Sequence, residues 1–398
     1  MKALLLENLH PLATRILEEA GVEVETRASA LDESDLVAAL PGVDLLGIRS
    51  KTEVTPAVLA AAPRLLAVGA FCIGTNQIAL DAATERGIAV FNAPFSNTRS
   101  VVELAIAEII TMARRLSDRN AALHAGVWDK SASGSHEIRG RTLGIVGYGN
   151  IGSQLSVVAE MLGMQVYFYD TDDKLALGNA RRCSSLEELL DCAETVTLHV
   201  DGRAGNAGIF GAEQFARMRP RSLFLNLSRG FVVDYEALRD AIVSGHLAGA
   251  AVDVFPVEPR SRGDRFESPL QGLPNVILTP HVGGSTEEAQ EDIARFVGTK
   301  LREYVETGST PRSVNLPALV AGRSAHAQRI AYVHRNTPGV LAHVNQLLGD
   351  HDVNIGAQVL ATRDQVGYVV TDTDSTLTDD VLEQLQKLPD TVRLRVLD

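Results

Sequence analysis

The chain has 398 residues, 45% of them hydrophobic and 22% charged, with a formal charge of −13. That length exceeds one ordinary core and suits two or three domains, and the composition is that of a folded chain rather than a disordered one. The acidic balance excludes an extensive nucleic-acid surface, so an anionic ligand must be gathered by a local basic cluster. No apolar stretch approaches the roughly 18 residues of a membrane span, and the start lacks a secretory leader's apolar run and small-residue cleavage site. Cys72, Cys183 and Cys192 show no zinc-like spacing; no metal site and a cytoplasmic location are expected.

From the N-terminus, short apolar runs alternate with amphipathic stretches: "KALLL", "ATRILEEAG", "VEVET", "DESDLVAAL", "DLLGIRS". This is the alternation of a parallel sheet with helices on its faces. A long helix follows from Asn97 in "SNTRSVVELAIAEIITMARRL", with apolar positions three and four apart. A second alternating unit starts at Arg141 and presents six apolar strands, "TLGIVG", "QVYFYD", "TVTLHV", "SLFLNLS", "GAAVDVF" and "NVILTPH", the size of a doubly wound nucleotide-binding domain. "STEEAQEDIARFVGTKLREYVETG" then predicts one amphipathic helix ending at Gly308, and the aperiodic stretch 309–325 predicts a linker. The remainder has the order βαββαβ of a ferredoxin-like sheet.

The expected architecture is therefore α/β: two doubly wound Rossmann-like domains and a small C-terminal βαββαβ domain. The expected boundaries are 1–96 with 284–320 for a discontinuous first domain, 97–283 for the nucleotide-binding domain and 326–398 for the C-terminal one.

The stretch "GIVGYGNIG" places Gly147, Gly149 and Gly152, with Asn150 and Ile151 between them, directly after a strand and before a helix. A second strand ends at Asp170, about twenty residues on. A tight turn, close backbone approach to a pyrophosphate and close helix packing each require glycine here, and the helix start receives the phosphates. A carboxylate at Asp170 accepts ribose hydroxyls and repels a 2′-phosphate, which favours NAD over NADP.

Oxidising an alcohol with NAD requires a group that takes the hydroxyl proton, and histidine is the natural one. His281, in "NVILTPHVGG", stands just past a strand end, where doubly wound sheets bind ligands. His199, in "TVTLHV", lies near another strand end and lines the cofactor site or fills core. Arg229 in "LSRG" and Glu258 in "VDVFPVEP" stand at neighbouring ends. Together they provide a guanidinium fork for a carboxylate, an imidazole for the proton and a carboxylate to orient it. Asp253, in the same stretch as Glu258, is expected at the cofactor.

With these pieces in order, the chain resembles the D-2-hydroxyacid dehydrogenase family over essentially its whole length, in the branch that ends in an ACT domain and acts on D-3-phosphoglycerate. The stretches that carry the resemblance include "AVGAFCIGTNQIALDAATERGIAVFNAPFSNTRSVVELAIAEI", "LGIVGYGNIG", "LNLSRGFVVD", "GAAVDVFPVEP", "LTPHVGGSTEEAQE" and "HRNTPGVLAHVN". It implies NAD-dependent oxidation of D-3-phosphoglycerate to 3-phosphohydroxypyruvate, the opening of serine synthesis, with reduction of 2-oxoglutarate as a side activity. Arg229 then anchors the substrate carboxylate, Glu258 supports the base, and His281 is the acid/base. Arg49, Ser50, Lys51, Asn97 and Gln290 become substrate contacts. Lys51 stands where relatives often carry arginine, keeping the charge without the bidentate fork.

For the C-terminal domain the resemblance implies edge-to-edge pairing and L-serine as effector, with His334, Asn336 and Asn354 as its contacts. Arg335 stands where an acidic residue is common, and Gly322 is single where a hinge would have adjacent glycines. Trp128 in "GVWDK" is implied as a contact between subunits of a homo-oligomer, expected as a tetramer. The alternatives are a glyoxylate or hydroxypyruvate reductase on the same scaffold and an NAD-sensing co-repressor that binds without turning over.

Overall fold

The computed structural model describes residues 1–259, 263–322 and 327–397, and among these residues the strands form three sheets. The end of the expected linker at 323–325, and residues 326 and 398 at the limits of the expected C-terminal domain, lie outside the described residues. By compactness the chain divides into two units, Met1–Ser96 with Gln290–Asp398, and Asn97–Ala289.

The first unit opens with strands β1 (Lys2–Leu5), β2 (Glu23–Thr26), β3 (Leu45–Ile48), β4 (Ala67–Ala70) and β5 (Ala89–Asn92). Helices α1 (Pro11–Glu18), α2 (Glu33–Ala39), α3 (Pro56–Ala60) and α4 (Leu80–Glu85) connect them. The strands pair in parallel in the order β2-β1-β3-β4-β5. Successive residues serve opposite faces. Leu4, Leu46, Ile48, Val68 and Val90 pack on one side with Leu36, Val58 and Ala83 of α2, α3 and α4, while Ala3, Leu5, Leu45, Ala67 and Phe91 face the other.

The second unit begins with α5 (Thr98–Arg114) and α6 (Leu116–His124). The long helix expected from Asn97 is α5, closed at Arg115, whose backbone turns left-handed (φ 53°). Strands β6 (Thr142–Val146), β7 (Gln165–Tyr169), β8 (Arg181–Arg182), β9 (Thr195–Leu198), β10 (Ser222–Asn226), β11 (Leu247–Val252) and β12 (Val276–Leu278) follow, with α7 (Asn150–Met161), α8 (Leu186–Cys192), α9 (Ala212–Arg217) and α10 (Tyr235–Val243). All pair in parallel in the order β12-β11-β10-β9-β6-β7-β8. The added β8 is a two-residue edge strand, too short to leave a period in the sequence. The order reverses beside β6, so the crevice that doubly wound sheets use for ligands opens at the carboxyl ends of β6 and β9.

The chain returns to the first unit in α11 (Glu287–Thr307), which ends at Gly308 (φ 76°) as expected. Its Val297, Leu301 and Tyr304 cover the second face of the first sheet. Strand β13 (Gln328–Arg335), α12 (Val340–Asp350), β14 (Ile355–Arg363), β15 (Val366–Thr373), α13 (Asp379–Lys387) and β16 (Thr391–Leu397) complete the βαββαβ order as an antiparallel sheet β14-β15-β13-β16. One face of this sheet packs Ile330, Tyr332 and Val369 on α12 and α13. The other presents Ala331, Val333, Tyr368 and Val370 to the same core as α11 and Phe91, which is why the C-terminal sheet belongs to the first unit.

The described part of the expected linker is built into the fold. Ser309, Thr310, Leu316 and Leu319 are buried, Val314 donates to the Val90 carbonyl at 2.8 Å, and the Asn315 carboxamide bonds Ile88 and Val90. Its serines and threonines satisfy the backbone locally, Thr310 Oγ1 donating to the Pro317 carbonyl at 2.7 Å, so an ordered path needs no helical or strand period.

Candidate active site

The strand order makes β10, β11 and β12 neighbours, so the loops leaving their carboxyl ends are neighbours too. These loops carry Arg229, Glu258 and His281. His281 Nδ1 lies 2.9 Å from Glu258 Oε2 and 3.1 Å from Oε1, so the carboxylate holds the ring and leaves Nε2 as the group that can exchange a proton. Burial opposes ionisation of Glu258. The hydrogen bond and charge of His281, the Phe255 amide and the Arg229 charge together outweigh it and hold the carboxyl below the usual range.

Two buried residues hold the loops that carry these groups. Asp253, 2% exposed, accepts Thr279 Oγ1 at 2.6 Å, the Val282 amide at 2.8 Å and the Gly283 amide at 2.8 Å. It thereby fixes the loop in which His281 adopts a left-handed backbone, φ 55°. Its carboxylate, expected at the cofactor, also holds the His281 loop. Asn226, fully buried, accepts the Ser228 amide and donates to the Arg229 carbonyl and Tyr235 Oη. A Cβ on Gly230 would lie 2.0 Å from the Phe255 carbonyl carbon, so only glycine lets the Arg229 loop pass the loop of Glu258. Asn97 packs on Gly284, where a Cβ would come within 2.1 Å of its Nδ2, and its Oδ1 is buried without a partner.

The fingerprint glycines have distinct causes. Gly147 (φ 92°) passes the His199 carbonyl, which would stand 2.6 Å from a Cβ; a Cβ on Gly152 would come within 2.3 Å of the Gly147 carbonyl; Gly149 faces open space. No side chain caps the start of α7, where Asn150 and Ile151 lie. Asp170 accepts the Tyr148 amide at 2.7 Å and the Asp172 amide at 2.9 Å, tying the second strand end to the glycine loop. Burial pushes His199 down to about 4, so its ring is neutral, with Nε2 on Thr197 Oγ1 and Nδ1 buried without a partner. A tight turn, an open glycine, an uncapped twelve-residue helix and an orphaned ring nitrogen fit a dinucleotide.

In the first unit, Glu7 cradles the loop of Arg49, Ser50 and Lys51. Its Oε1 accepts the Arg49 amide at 3.1 Å and the Thr52 amide at 2.9 Å, and its Oε2 the Lys51 amide at 3.1 Å. Gln77 Nε2 donates to the Arg49 carbonyl at 2.6 Å. Gln290, half-buried, lies in α11 of this unit. Glu7, Asn226 and the loop-anchoring role of Asp253 escape the sequence because each acts on backbone amides or carbonyls, which no side-chain spacing announces.

The C-terminal residues divide. His334 is buried, its Nδ1 on the Arg335 carbonyl and its Nε2 without a partner, while Asn336 Nδ2 donates to the Asp364 carbonyl. His334 is opposite Gly367, whereas Asn354 precedes Ile355, opposite Thr373. Asn354 thus stands at the other end of β15, about 20 Å away at ~3.3 Å per strand residue. One chain does not bring the three together.

Among the described residues, no cluster of His, Cys, Asp and Glu has the makings of a metal site, and no helix is long and apolar enough to cross a membrane.

Residues 106–283 match the family model described as D-isomer specific 2-hydroxyacid dehydrogenase, NAD binding domain, and residues 330–393 match an AHAS small subunit-like ACT domain. The chain is 47% identical over 398 residues to a D-3-phosphoglycerate dehydrogenase of Haemophilus influenzae, covering 100% of this chain and 97% of that protein. It is 48% identical over 400 residues to one of Escherichia coli, with the same coverage. Among solved structures, a protein of Thermus thermophilus aligns with TM-score 0.72 at 31% identity, over 79% of this chain and 100% of its own. An NAD-dependent formate dehydrogenase of Staphylococcus aureus in complex with NAD aligns with TM-score 0.67 at 26% identity, over 76% and 95%.

Proposed function

The chain belongs to the D-isomer specific 2-hydroxyacid dehydrogenases and is an NAD-dependent oxidoreductase, and from that premise we propose that it oxidises D-3-phosphoglycerate to 3-phosphohydroxypyruvate. The observation that carries the chemistry is the His281–Glu258 pair beside the Arg229 loop. Arg229 binds and orients the 2-hydroxy acid through its carboxylate. His281 Nε2 takes the hydroxyl proton as the carbon is oxidised, and Glu258 keeps the ring oriented and balances the charge it acquires. Gly147, Gly149, Gly152, Asp170 and the neutral His199 would hold NAD, which would supply the hydride acceptor. A base in this position contributes roughly 10²–10⁴-fold, or about 3 to 5 kcal/mol of barrier.

The relatives' names support a phosphorylated substrate, and the resemblance assigns its contacts to Arg49, Ser50, Lys51, Asn97 and Gln290. Lys51→Ala tests the phosphate assignment: KM for D-3-phosphoglycerate rises several-fold while KM for D-glycerate stays put. An equal effect on both acids removes Lys51 from phosphate binding.

Serine feedback is the second part of the reading. β14 is an edge strand with Val359 and Leu360 exposed. Antiparallel pairing of this edge with a second copy would carry Asn354 of each chain toward the His334 and Asn336 end of the other. An amino acid would then bind at the seam, consistent with the unpartnered His334 Nε2. Titrating activity with L-serine checks this; flat activity, or unchanged inhibition in Asn354→Ala, rejects it. Reduction of 2-oxoglutarate is checked in the same assay by NADH consumption.

A further inference from the structure

The second unit holds a cavity of about 500 Å³ at the edge of its sheet opposite the dinucleotide crevice. Arg141 immediately precedes β6 and Arg219 and Arg221 precede β10, so the cavity lies at the amino ends of strands whose carboxyl ends carry the glycine loop and Arg229. Arg115, His136, Ser133, Ser222 and one carboxylate, Glu194, complete its polar lining.

Four arginines around one opening are unexpected in a chain of charge −13. Two have acidic partners, Arg115 with Asp118 at 2.8 Å and Arg141 with Glu194 at 3.1 Å. Arg219 and Arg221 form no ion pair among the described residues; each reaches only a backbone carbonyl, of Cys192 and Gly245, at 3.5 Å, the outer limit of a hydrogen bond. Two positive charges are therefore uncompensated. The wall also holds two unmatched polar atoms, Arg141 Nε and the Oγ of Ser222, a residue 1% exposed. Buried polar atoms without partners are uncommon. Arg115 and Arg221 moreover adopt left-handed backbones, φ 53° and 64°, that glycine or asparagine would hold more easily. The inner continuation, floored by Met112, Ala113, Leu223 and Ala248, offers only about 20 Å³. The ligand is thus compact and polar.

We propose that this cavity is an anion site for a small phosphate-bearing ligand, separate from the dinucleotide fingerprint. Inorganic pyrophosphate is the probe, titrated calorimetrically into the full-length protein saturated with NAD and then repeated on Lys51→Ala. Binding persists in both cases and weakens as salt rises, since the exposed guanidinium groups are screened. R219Q/R221Q removes both of these charges and weakens it by about tenfold or more, while kcat is unchanged; R219K/R221K restores part of it. Ser222→Ala weakens it less and keeps the melting temperature, which separates ligand loss from misfolding. Equal binding by wild type and R219Q/R221Q overturns the proposal, as does absence of heat from the NAD-saturated protein at millimolar pyrophosphate. A subunit count that falls in R219Q/R221Q independently of pyrophosphate also overturns it, because the arginines then serve a contact between copies.

Discussion

Among single residues, the proposed reaction gives His281 the proton and its neighbours the geometry. His281→Asn keeps the polar contact but cannot exchange a proton, so kcat falls by roughly 10²–10⁴-fold. NAD affinity, measured by fluorescence titration, changes little. Glu108 sets a different expectation. It is 3% exposed in α5, both carboxylate oxygens lack partners, and burial, reinforced by the charge of Asp253, pushes it up to about 8. A carboxyl raised in the folded state favours folding below its ordinary value near 4.5 and loses that contribution as pH climbs toward 8. Glu108→Gln therefore raises the melting temperature at pH 8 and leaves it nearly unchanged at pH 5. His199 acts oppositely: lowered to about 4, it penalises the fold as pH drops below its usual 6.5. Of these residues the sequence made His281, Glu258 and Arg229 visible, because proton transfer and carboxylate binding call for side chains of definite types. Glu108 was hidden in a helical stripe, where its burial depends on packing from elsewhere.

At the scale of elements, the site rests on three loops whose closeness follows from one strand order. Apolar runs and the glycine spacing made the strands and the dinucleotide loop readable, since a parallel sheet demands both. The breaks were less so. Arg115 ends α5 with a backbone turn that arginine seldom takes, and nothing in "MARRLSD" marks it. Residues 309–321 carry no period because their order comes from side chains bonding backbone, as Ser309 Oγ does to the Ala321 carbonyl at 2.9 Å. Gly230 shows how tightly the loops depend on each other. Gly230→Ala drives a methyl into the Phe255–Pro256 peptide, so either Arg229 or Glu258 must move. Misplacement by an ångström is costly in oriented catalysis. The expected result is a large loss of kcat/KM with the glycine loop untouched, measured as normal NAD affinity beside crippled turnover.

For the whole molecule, sequence placed two nucleotide-binding-like sheets and a ferredoxin-like sheet in order. Which bodies share a core was settled by burial. The C-terminal sheet is fastened to the first unit by Arg329, which forks onto Asp372 at 2.6 and 2.8 Å and also donates to the Thr307 and Gly322 carbonyls. Tyr368 Oη adds a bond of 2.6 Å to the Gly308 carbonyl. The bonds to Thr307, Gly308 and Gly322 end on main-chain oxygens, the class of partner that residue patterns do not display. The proposed reaction has the His281, Glu258 and Arg229 loops oxidise a phosphorylated 2-hydroxy acid. Its most direct test is the initial rate of NADH formation by the full-length protein with D-3-phosphoglycerate, D-glycerate and D-lactate side by side. A kcat/KM for D-3-phosphoglycerate at least tenfold above the other two, about 1.4 kcal/mol of discrimination, is predicted; equal values for the unphosphorylated acids, or no NADH from any, would contradict it.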